Sequence, residues 1–257
     1  MSATFTAVLG VAGRPQLKNM LDSLKRNAGP GDQVIVVVDA FEQGRREDVQ
    51  ALVRSYGPQF EGYHYDAGYH FLGAEQMNFA FRHIVMTGTH VLALADDDVL
   101  VDGAFDTYRE YCERDMTRPL LPRFLCPFGI DFSTGGIDPS GRCILWDIPR
   151  MARVRITSAI VAPKQFLQMW PTKLDPCADY DWMQSILDVS PPPVWLDYVS
   201  IIARPETRGD EVLHRGIWQC DVCSTPVKQT WGYVEDGVTE HCGVAVRTAA
   251  TVVGAAV

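Results

Sequence analysis

Three short apolar runs, separated by amphipathic segments, dominate the first hundred residues of the chain. They cover residues 4–11, 33–38 and 90–95, and nearly every position of the middle run is Val or Ile. Such runs are typical of strands covered on both faces, as in a parallel sheet. Residues 17–24 repeat apolar side chains at helical spacing, and a further helix is predicted over residues 73–85. Strands and helices therefore alternate, and the sequence predicts an α/β fold with a mostly parallel central sheet flanked by helices.

The third apolar run leads directly into three consecutive aspartates, Asp96, Asp97 and Asp98. Carboxylates at the end of a buried strand repel one another and lose hydration, and a divalent cation would compensate for both effects. Because alternate side chains of a strand point the same way, Asp96 and Asp98 can face one site while Asp97 faces away. The sequence thus predicts a cation site here, with a solvated acidic turn as the alternative.

Candidate ligand-binding segments also follow the first two predicted strands. Gly10, Val11 and Arg14 lie at the end of the first strand, and Asp39 follows the second. Parallel α/β sheets bind ligands at the carboxyl ends of their strands, so these segments and the aspartates are expected to meet in one crevice. The chain has neither a P-loop nor a dinucleotide-binding glycine fingerprint, so the phosphates of a bound nucleotide would depend on a metal.

The second half of the sequence is less regular. Prolines and glycines interrupt residues 119–150, and this stretch is predicted to form loops and short strands. The elements predicted beyond it are a strand over residues 154–161, a short helix over 163–170, a helix over 177–187 and a strand over 194–203. The helix that begins near residue 177 has acidic residues in its first turn, and consecutive prolines at 191–193 stop it.

Composition limits the class of protein. The 257 residues are 47% hydrophobic and carry a net charge of −9, which is ordinary for a globular domain and argues against a broadly basic nucleic-acid surface. No apolar run reaches the roughly 18 to 20 residues that span a bilayer, and the N-terminus lacks the layout of a signal peptide. We therefore expect a cytoplasmic protein without integral membrane association.

The order of these features resembles the GT-A glycosyltransferases, specifically the family 2 type that uses nucleotide-diphosphate sugars. The matching features are the first strand with its helix, the Val-Ile-Val-Val-Val strand that ends at Asp39, the helix with Asn78, and the aspartates 96–98. Members of that family usually have the motif Ala-Arg-Asn in their third helix. This chain has Gln76-Met77-Asn78 at the same place, so the arginine is missing.

A later motif of the same family, Glu-Asp-Tyr-Asp-Leu, has a counterpart in Ala-Asp-Tyr-Asp-Trp at residues 178–182. The resemblance covers about residues 4–203, and it places the base of the inverting members on Asp179. Attack by a hydroxyl group on a sugar's anomeric carbon needs such a base. Acidic residues in a first helical turn also stabilise the helix dipole, which is the alternative role for Asp179.

The resemblance implies a glycosyltransferase that uses a nucleotide-diphosphate sugar, with a UDP-sugar as the favoured donor and Mn²⁺ or Mg²⁺ as the cofactor. Asp96 and Asp98 would hold the metal and the diphosphate, and His214 is a further candidate metal ligand. The residues expected to bind the donor are Gly10, Val11, Arg14, Asp39, Asn78, Asp96 and Asp97. With Asp179 as base the reaction would invert the anomeric carbon, although retaining enzymes share the same donor half.

The resemblance also divides the chain. Residues 1–118 would form the nucleotide-sugar-binding half of one domain, residues 119–205 its acceptor-side half, and residues 206–257 a C-terminal appendage. The acceptor would be a molecule with a free hydroxyl group: a glycan, a protein side chain or a modified DNA base. The setting would be a bacterium or a phage-infected host cell.

Two other functions fit parts of the sequence. A nucleotidyltransferase also combines an α/β sheet with a metal and a nucleotide, but it normally has a loop rich in Gly, Lys and Arg after its first strand, where this chain has only Arg14. A non-catalytic sugar-nucleotide or glycan-binding relative is the other alternative. Such a protein would have no need to keep three costly carboxylates, Asp96, Asp98 and Asp179, around one crevice.

Four residues near the C-terminus raise the question of a structural zinc ion. Cys220 and Cys223 form a C-x-x-C pair, and His241 and Cys242 follow further along the chain. A four-ligand zinc site would need both members of the adjacent pair, which is awkward geometry. Reduced thiols in a small hairpin are the alternative.

Overall fold

A computed structural model describes most of the N-terminal two thirds of the chain and four short strands beyond it. The described residues are 2–11, 16–38, 43–65, 74–96, 98–126, 143–145, 160–171, 178–202, 215–219, 226–230, 238–241 and 244–247. Four residues expected at the site lie outside these ranges: Arg14, Asp39, Asp97 and His214. Cys220, Cys223 and Cys242 also lie outside them, so the zinc hypothesis stays a prediction.

The first part of the chain alternates strands and helices as the sequence predicts. Its elements are β1 (Phe5–Val11), α1 (Leu17–Asn27), β2 (Gln33–Val38), α2 (Gln43–Ser55), β3 (Phe60–His64), α3 (Ala74–His83) and β4 (His90–Leu94). A second group of elements follows: β5 (Val99–Leu100), α4 (Ala104–Cys112), β6 (Leu120–Cys126), β7 (Cys143–Leu145), β8 (Val161–Pro163), α5 (Ala178–Leu187) and β9 (Val194–Ile202).

These strands form one mixed sheet in which, among the described residues, nine strands pair in the order β3-β2-β1-β4-β8-β6-β9-β5, with β7 added to β6. The strands β3, β2, β1 and β4 are parallel to one another, and β6 and β9 point the same way. Strands β5, β7 and β8 point the other way. The prediction of a mostly parallel α/β sheet is confirmed.

Apolar packing on both faces of the sheet accounts for the continuous runs in the sequence. All six residues of β2 are buried, and so is every residue of β4. The buried face of α1 includes Leu17, Met20, Leu21 and Leu24, which recur at the i, i+3, i+4 and i+7 spacing of one helix face. Helix α3 packs against β1 and β2. Full burial of one such side chain stabilises the fold by about 1.5–3 kcal/mol.

Two predictions for the second half need correction. The short helix expected over residues 163–170 is wrong: a 3-10 turn covers only Lys164–Phe166, and the chain then extends to Trp170, whose backbone bonds to a side chain of α3. The stretch expected to hold only short strands contains the seven-residue β6. Its pairing with β9 shifts register between Leu121 and Arg123, on either side of Pro122, because proline offers no N–H to the ladder.

The last described strands form two hairpins. Strand β10 (Arg215–Gln219) pairs with β11 (Pro226–Thr230), and β12 (Val238–His241) pairs with β13 (Val244–Arg247), both antiparallel. The division of the chain into two halves and an appendage stays a prediction. None of the helices in the described ranges is both long and apolar enough to cross a bilayer.

Candidate active site

The carboxyl ends of β1, β2 and β4 lie side by side at one edge of the sheet, which we call the carboxyl edge. In the parallel register, Val11 pairs with Val38 and Leu9 pairs with Leu94. Asp96 follows two residues after Leu94, so the same register places it at the level of Val11. The strand ends that were expected to meet in one crevice are therefore neighbours in the sheet.

Asp96 and Asp98 are both buried, with 5% and 1% of their surface exposed. The segment that carries them is anchored on its far side, because Leu100 of β5 donates its N–H to the Ser23 hydroxyl of α1 at 3.1 Å. Strand β5 also pairs with β9. Burial of a carboxylate costs on the order of several kcal/mol unless a cation or hydrogen bonds compensate for it. A bound cation is one source of such compensation, and two carboxylates this close in sequence could hold one together.

The side chain of Asn78, in α3, joins the two halves of the described fold. Its amide nitrogen Nδ2 donates to the Trp170 carbonyl at 2.9 Å, and its Oδ1 accepts the Trp170 N–H at 2.7 Å. Asn78 is 1% exposed. Both ends of its amide thus bond to protein backbone, and its predicted contact with a donor stays a prediction. Sequence reasoning missed this bond, although an asparagine on a buried helix face is a signal that a polar partner is near.

A second contact, between two tryptophans, links the same segment to α5. The rings of Trp170 and Trp182 stack with centroids 4.4 Å apart and planes 18° from parallel. The indole N–H of Trp182 donates to the Gln168 carbonyl at 2.9 Å. Trp182 also stacks on Phe81 of α3. Helix α5 is therefore fixed against both α3 and the segment that follows β8.

Asp179 lies in the first turn of α5 and is half-buried. Strand β9 follows α5 and points in the same direction as β1. Helix α5 leads into the amino end of β9. The role of Asp179 as the base beside Asp96 and Asp98 stays a prediction.

Comparisons with known proteins place this geometry in a fold. No model of a protein family matches the chain, and no curated protein matches it by sequence. S. aureus TarS in complex with UDP-GlcNAc is similar over 78% of this chain and 58% of TarS 1–349, with 14% identity and a TM-score of 0.56. The mannosyltransferase PcManGT from Pyrobaculum calidifontis, in complex with GDP-Man and Mn²⁺, is similar over 83% of this chain and 60% of its own, with 15% identity and a TM-score of 0.54.

The chain has the GT-A fold. It spans 60% or less of the length of each of these two proteins. A further structure of TarS gives a TM-score of 0.60 while the match covers 36% of that protein. The predicted fold is therefore confirmed on the part of these proteins that this chain spans.

The donor set at the carboxyl edge of the GT-A fold fits a hard cation. Carboxylate oxygens are the ligands that Mg²⁺ and Mn²⁺ prefer. In the described ranges, no group of three or more His, Cys, Asp or Glu side chains could hold a metal ion. Magnesium in nucleotide sites is commonly held by one or two carboxylates together with phosphate oxygens and water, so Asp96 and Asp98 suffice as the protein's share.

Two titratable groups outside the site belong to the core: His90 in β4 and Cys112 at the end of α4. Burial lowers the pKa of His90 to about 4, and it raises the pKa of Cys112 to about 12. The His90 Nε2 lies 3.5 Å from the Cys112 Sγ. Both groups are neutral at neutral pH, and His90 opens β4 at the end of the strand opposite to Asp96. They are structural residues.

Proposed function

We propose that the chain is a metal-dependent glycosyltransferase that moves a sugar from a nucleotide-diphosphate donor to a hydroxyl acceptor with inversion. The observation that carries the proposal is the burial of Asp96 and Asp98 at the carboxyl edge of a GT-A fold. TarS in complex with UDP-GlcNAc and PcManGT in complex with GDP-Man and Mn²⁺ support the same class of donor.

The reaction needs a metal site, a donor site and a base from the chain. Asp96 and Asp98 hold a divalent cation, which when bound stabilises the negative charge that develops on the departing nucleotide diphosphate. Gly10 and Val11, at the end of β1, line the donor side of the edge. A UDP-sugar is the favoured donor.

Asp179 supplies the base on the acceptor side. The oxygen of the acceptor hydroxyl forms a bond to the anomeric carbon, and its proton passes to the Asp179 carboxylate. The bond between the anomeric carbon and the diphosphate breaks, and its electron pair leaves on the phosphate oxygen. Attack on the face opposite to the leaving group inverts the anomeric carbon. Removal of such a base typically costs about 10²–10⁴-fold in rate.

Titration of UDP and GDP into the purified protein, with Mn²⁺ and then with a chelator, tests the donor site. We expect one nucleotide to bind only with Mn²⁺, and the isosteric change Asp98→Asn to weaken that binding by about tenfold or more, because one anionic metal ligand is lost. Asp102→Asn is the matched control: this aspartate lies four residues further on, is exposed, and pairs with Arg26.

Two results would contradict the proposal. The first is the absence of metal-dependent nucleotide binding by the wild-type protein. The second concerns the proposed base. We expect Asp179→Asn to bind the nucleotide as the wild type does and to lose release of the nucleotide from its sugar donor. A variant that turns over donor at the wild-type rate would remove Asp179 from the mechanism.

A further inference from the structure

A short series of contacts connects α3 to α5, the helix that carries Asp179. Asn78 holds Trp170 by two hydrogen bonds, one to its carbonyl and one from its N–H, as a neighbouring strand would. Trp170 in turn stacks on Trp182 of α5, and Trp182 returns a hydrogen bond to the same segment at Gln168. We call these four residues the α3–α5 clamp.

The two bonds between Asn78 and Trp170 lie in the interior. Asn78 is 1% exposed and Trp170 is buried, so water does not readily replace these two bonds if one partner is removed. The bond from Trp182 to Gln168 is partly buried. The amide of Asn78 donates to the Trp170 carbonyl and accepts from the Trp170 N–H, so it holds both polar groups of the Trp170 backbone. Trp182 is held against the same segment by its ring stack on Trp170 and by the bond from its indole N–H to Gln168.

Asp179 stands one helical turn before Trp182 in α5. In an α-helix a residue and the one three positions later lie on nearly the same face. Trp182, which belongs to the clamp, and Asp179, the proposed base, therefore lie on adjacent turns of one short helix. A displacement of Trp182 displaces Asp179 with it.

We propose that Asn78 is a positioning residue: through Trp170 and Trp182 it sets the place of Asp179 relative to the metal-binding edge. The inference rests on the proposed function for the role of Asp179, but the mechanical coupling of Asn78 to α5 does not depend on it. In this role Asn78 acts through its two bonds to the Trp170 backbone and needs no contact with the donor. A misplacement of about 1 Å in a catalytic group lowers turnover by up to about 10²-fold.

A matched control is present in the chain. Asn27 is also a buried asparagine whose side chain bonds twice to backbone, since its Nδ2 donates to the Ser23 carbonyl and its Oδ1 accepts the Phe105 N–H. It joins α1 to α4 and lies at the C-terminal end of α1, away from the carboxyl edge. Asn27→Ala thus removes a similar pair of bonds without touching the clamp.

Hydrogen exchange of the full-length protein without ligand tests the coupling. In Asn78→Ala, we expect the amides of residues 178–187 to exchange about tenfold faster or more, because local opening of α5 becomes easier. In Asn27→Ala, the increase should be confined to α1 and α4. Unchanged exchange in α5 of Asn78→Ala, or an equal increase in Asn27→Ala, would overturn the inference.

Titration with UDP and Mn²⁺ and release of UDP from UDP-GlcNAc test the consequence for catalysis. We expect Asn78→Ala to keep its Kd for UDP within about twofold and to lose about 10-fold to 10²-fold in kcat. Asn27→Ala should keep both. A loss of UDP affinity that matches the loss of kcat would assign Asn78 to the donor site instead and overturn the inference.

A milder variant covers the case in which Asn78→Ala does not fold. Trp182→Phe keeps an aromatic ring in the stack but removes the N–H that bonds to Gln168 and part of the ring volume. It should therefore raise exchange in α5 and lower kcat. The opposite result, with both unchanged, overturns the inference. If the wild-type protein binds neither UDP nor GDP with Mn²⁺, the proposed function fails, while the exchange measurement still decides whether Asn78 holds α5.

Discussion

Gly88 lies where the turn before β4 meets the start of β1. Its N–H donates to the Thr6 hydroxyl at 3.0 Å. A Cβ at this position would lie 2.5 Å from the Thr6 nitrogen and 2.6 Å from the Phe5 carbonyl carbon, and neither backbone atom can move away cheaply. The single hydrogen of glycine thus sets how closely β4, which leads to Asp96 and Asp98, approaches β1.

Gly88→Ala should therefore destabilise the protein by roughly 1–3 kcal/mol, the usual cost of overpacking a close contact. The measurement is the free energy of unfolding in urea. Gly62→Ala is the control: its Cβ would meet the nearest atom, in Gln50, at an ordinary 3.5 Å, so its effect should be small. Equal losses in the two variants would mean that the close contact with Thr6 and Phe5 is not the cause of the effect at Gly88.

Asp32 shows how one side chain can connect three elements. It accepts the N–H of Phe5 at the start of β1 at 2.8 Å and the N–H of Gly29 after α1 at 2.8 Å, and it pairs with Arg109 of α4. The carboxylate is buried and Arg109 is mostly buried. Both oxygens of the carboxylate are therefore used as acceptors.

Asp32→Asn places an amide NH₂ where an acceptor is needed and removes the charge that faces Arg109. We expect a loss of about 2–4 kcal/mol in the free energy of unfolding, since the mostly buried Arg109 loses its buried carboxylate partner and keeps only the exposed Asp106. The exposed pair between Asp102 and Arg26 offers the comparison, and Asp102→Asn should cost less than about 1 kcal/mol. Similar costs for the two substitutions would show that the Asp32 pair is solvated in solution.

Sequence patterns predict best the elements that form because of residues within the element itself. The face of α1 repeats at helical spacing, and β2 is an unbroken apolar run, so both begin and end within a few residues of their predicted bounds. The segment at 163–170 looks like a helix by the same criteria. It is extended beyond Phe166 because Asn78, 92 positions away, bonds to the Trp170 backbone.

In the candidate site, too, some features follow from the local sequence and others depend on pairing between distant strands. The aspartates at the end of β4 are visible in the sequence because a buried strand that runs into carboxylates is unusual in itself. That Asp96 and Val11 lie at one level depends on the pairing of β4 with β1, which joins residues more than eighty positions apart. The sequence suggests that pairing only through the general topology of parallel sheets.

The whole molecule should be sensitive to acid through His90. This residue is the first of β4, in the centre of the sheet between β1 and β8, and it is buried. Burial lowers the pKa of His90 from an ordinary value of 6.5 to about 4, and a backbone hydrogen bond with Met116 opposes this in part. The unfolded chain therefore binds a proton at this position at a pH where the folded chain does not.

Between pH 6.5 and about 4 the unfolded state binds more protons, so the free energy of unfolding must fall as the pH is lowered through this window. The full loss from this one group is about 3 kcal/mol. His90→Gln has no titrating ring, so the difference in unfolding free energy between the wild type and the variant should shrink or reverse as the pH falls from 7 to 4, while groups common to both proteins cancel. Urea titrations at several pH values measure this difference, and two curves that stay parallel over the window would mean that His90 is accessible to protons in the folded protein.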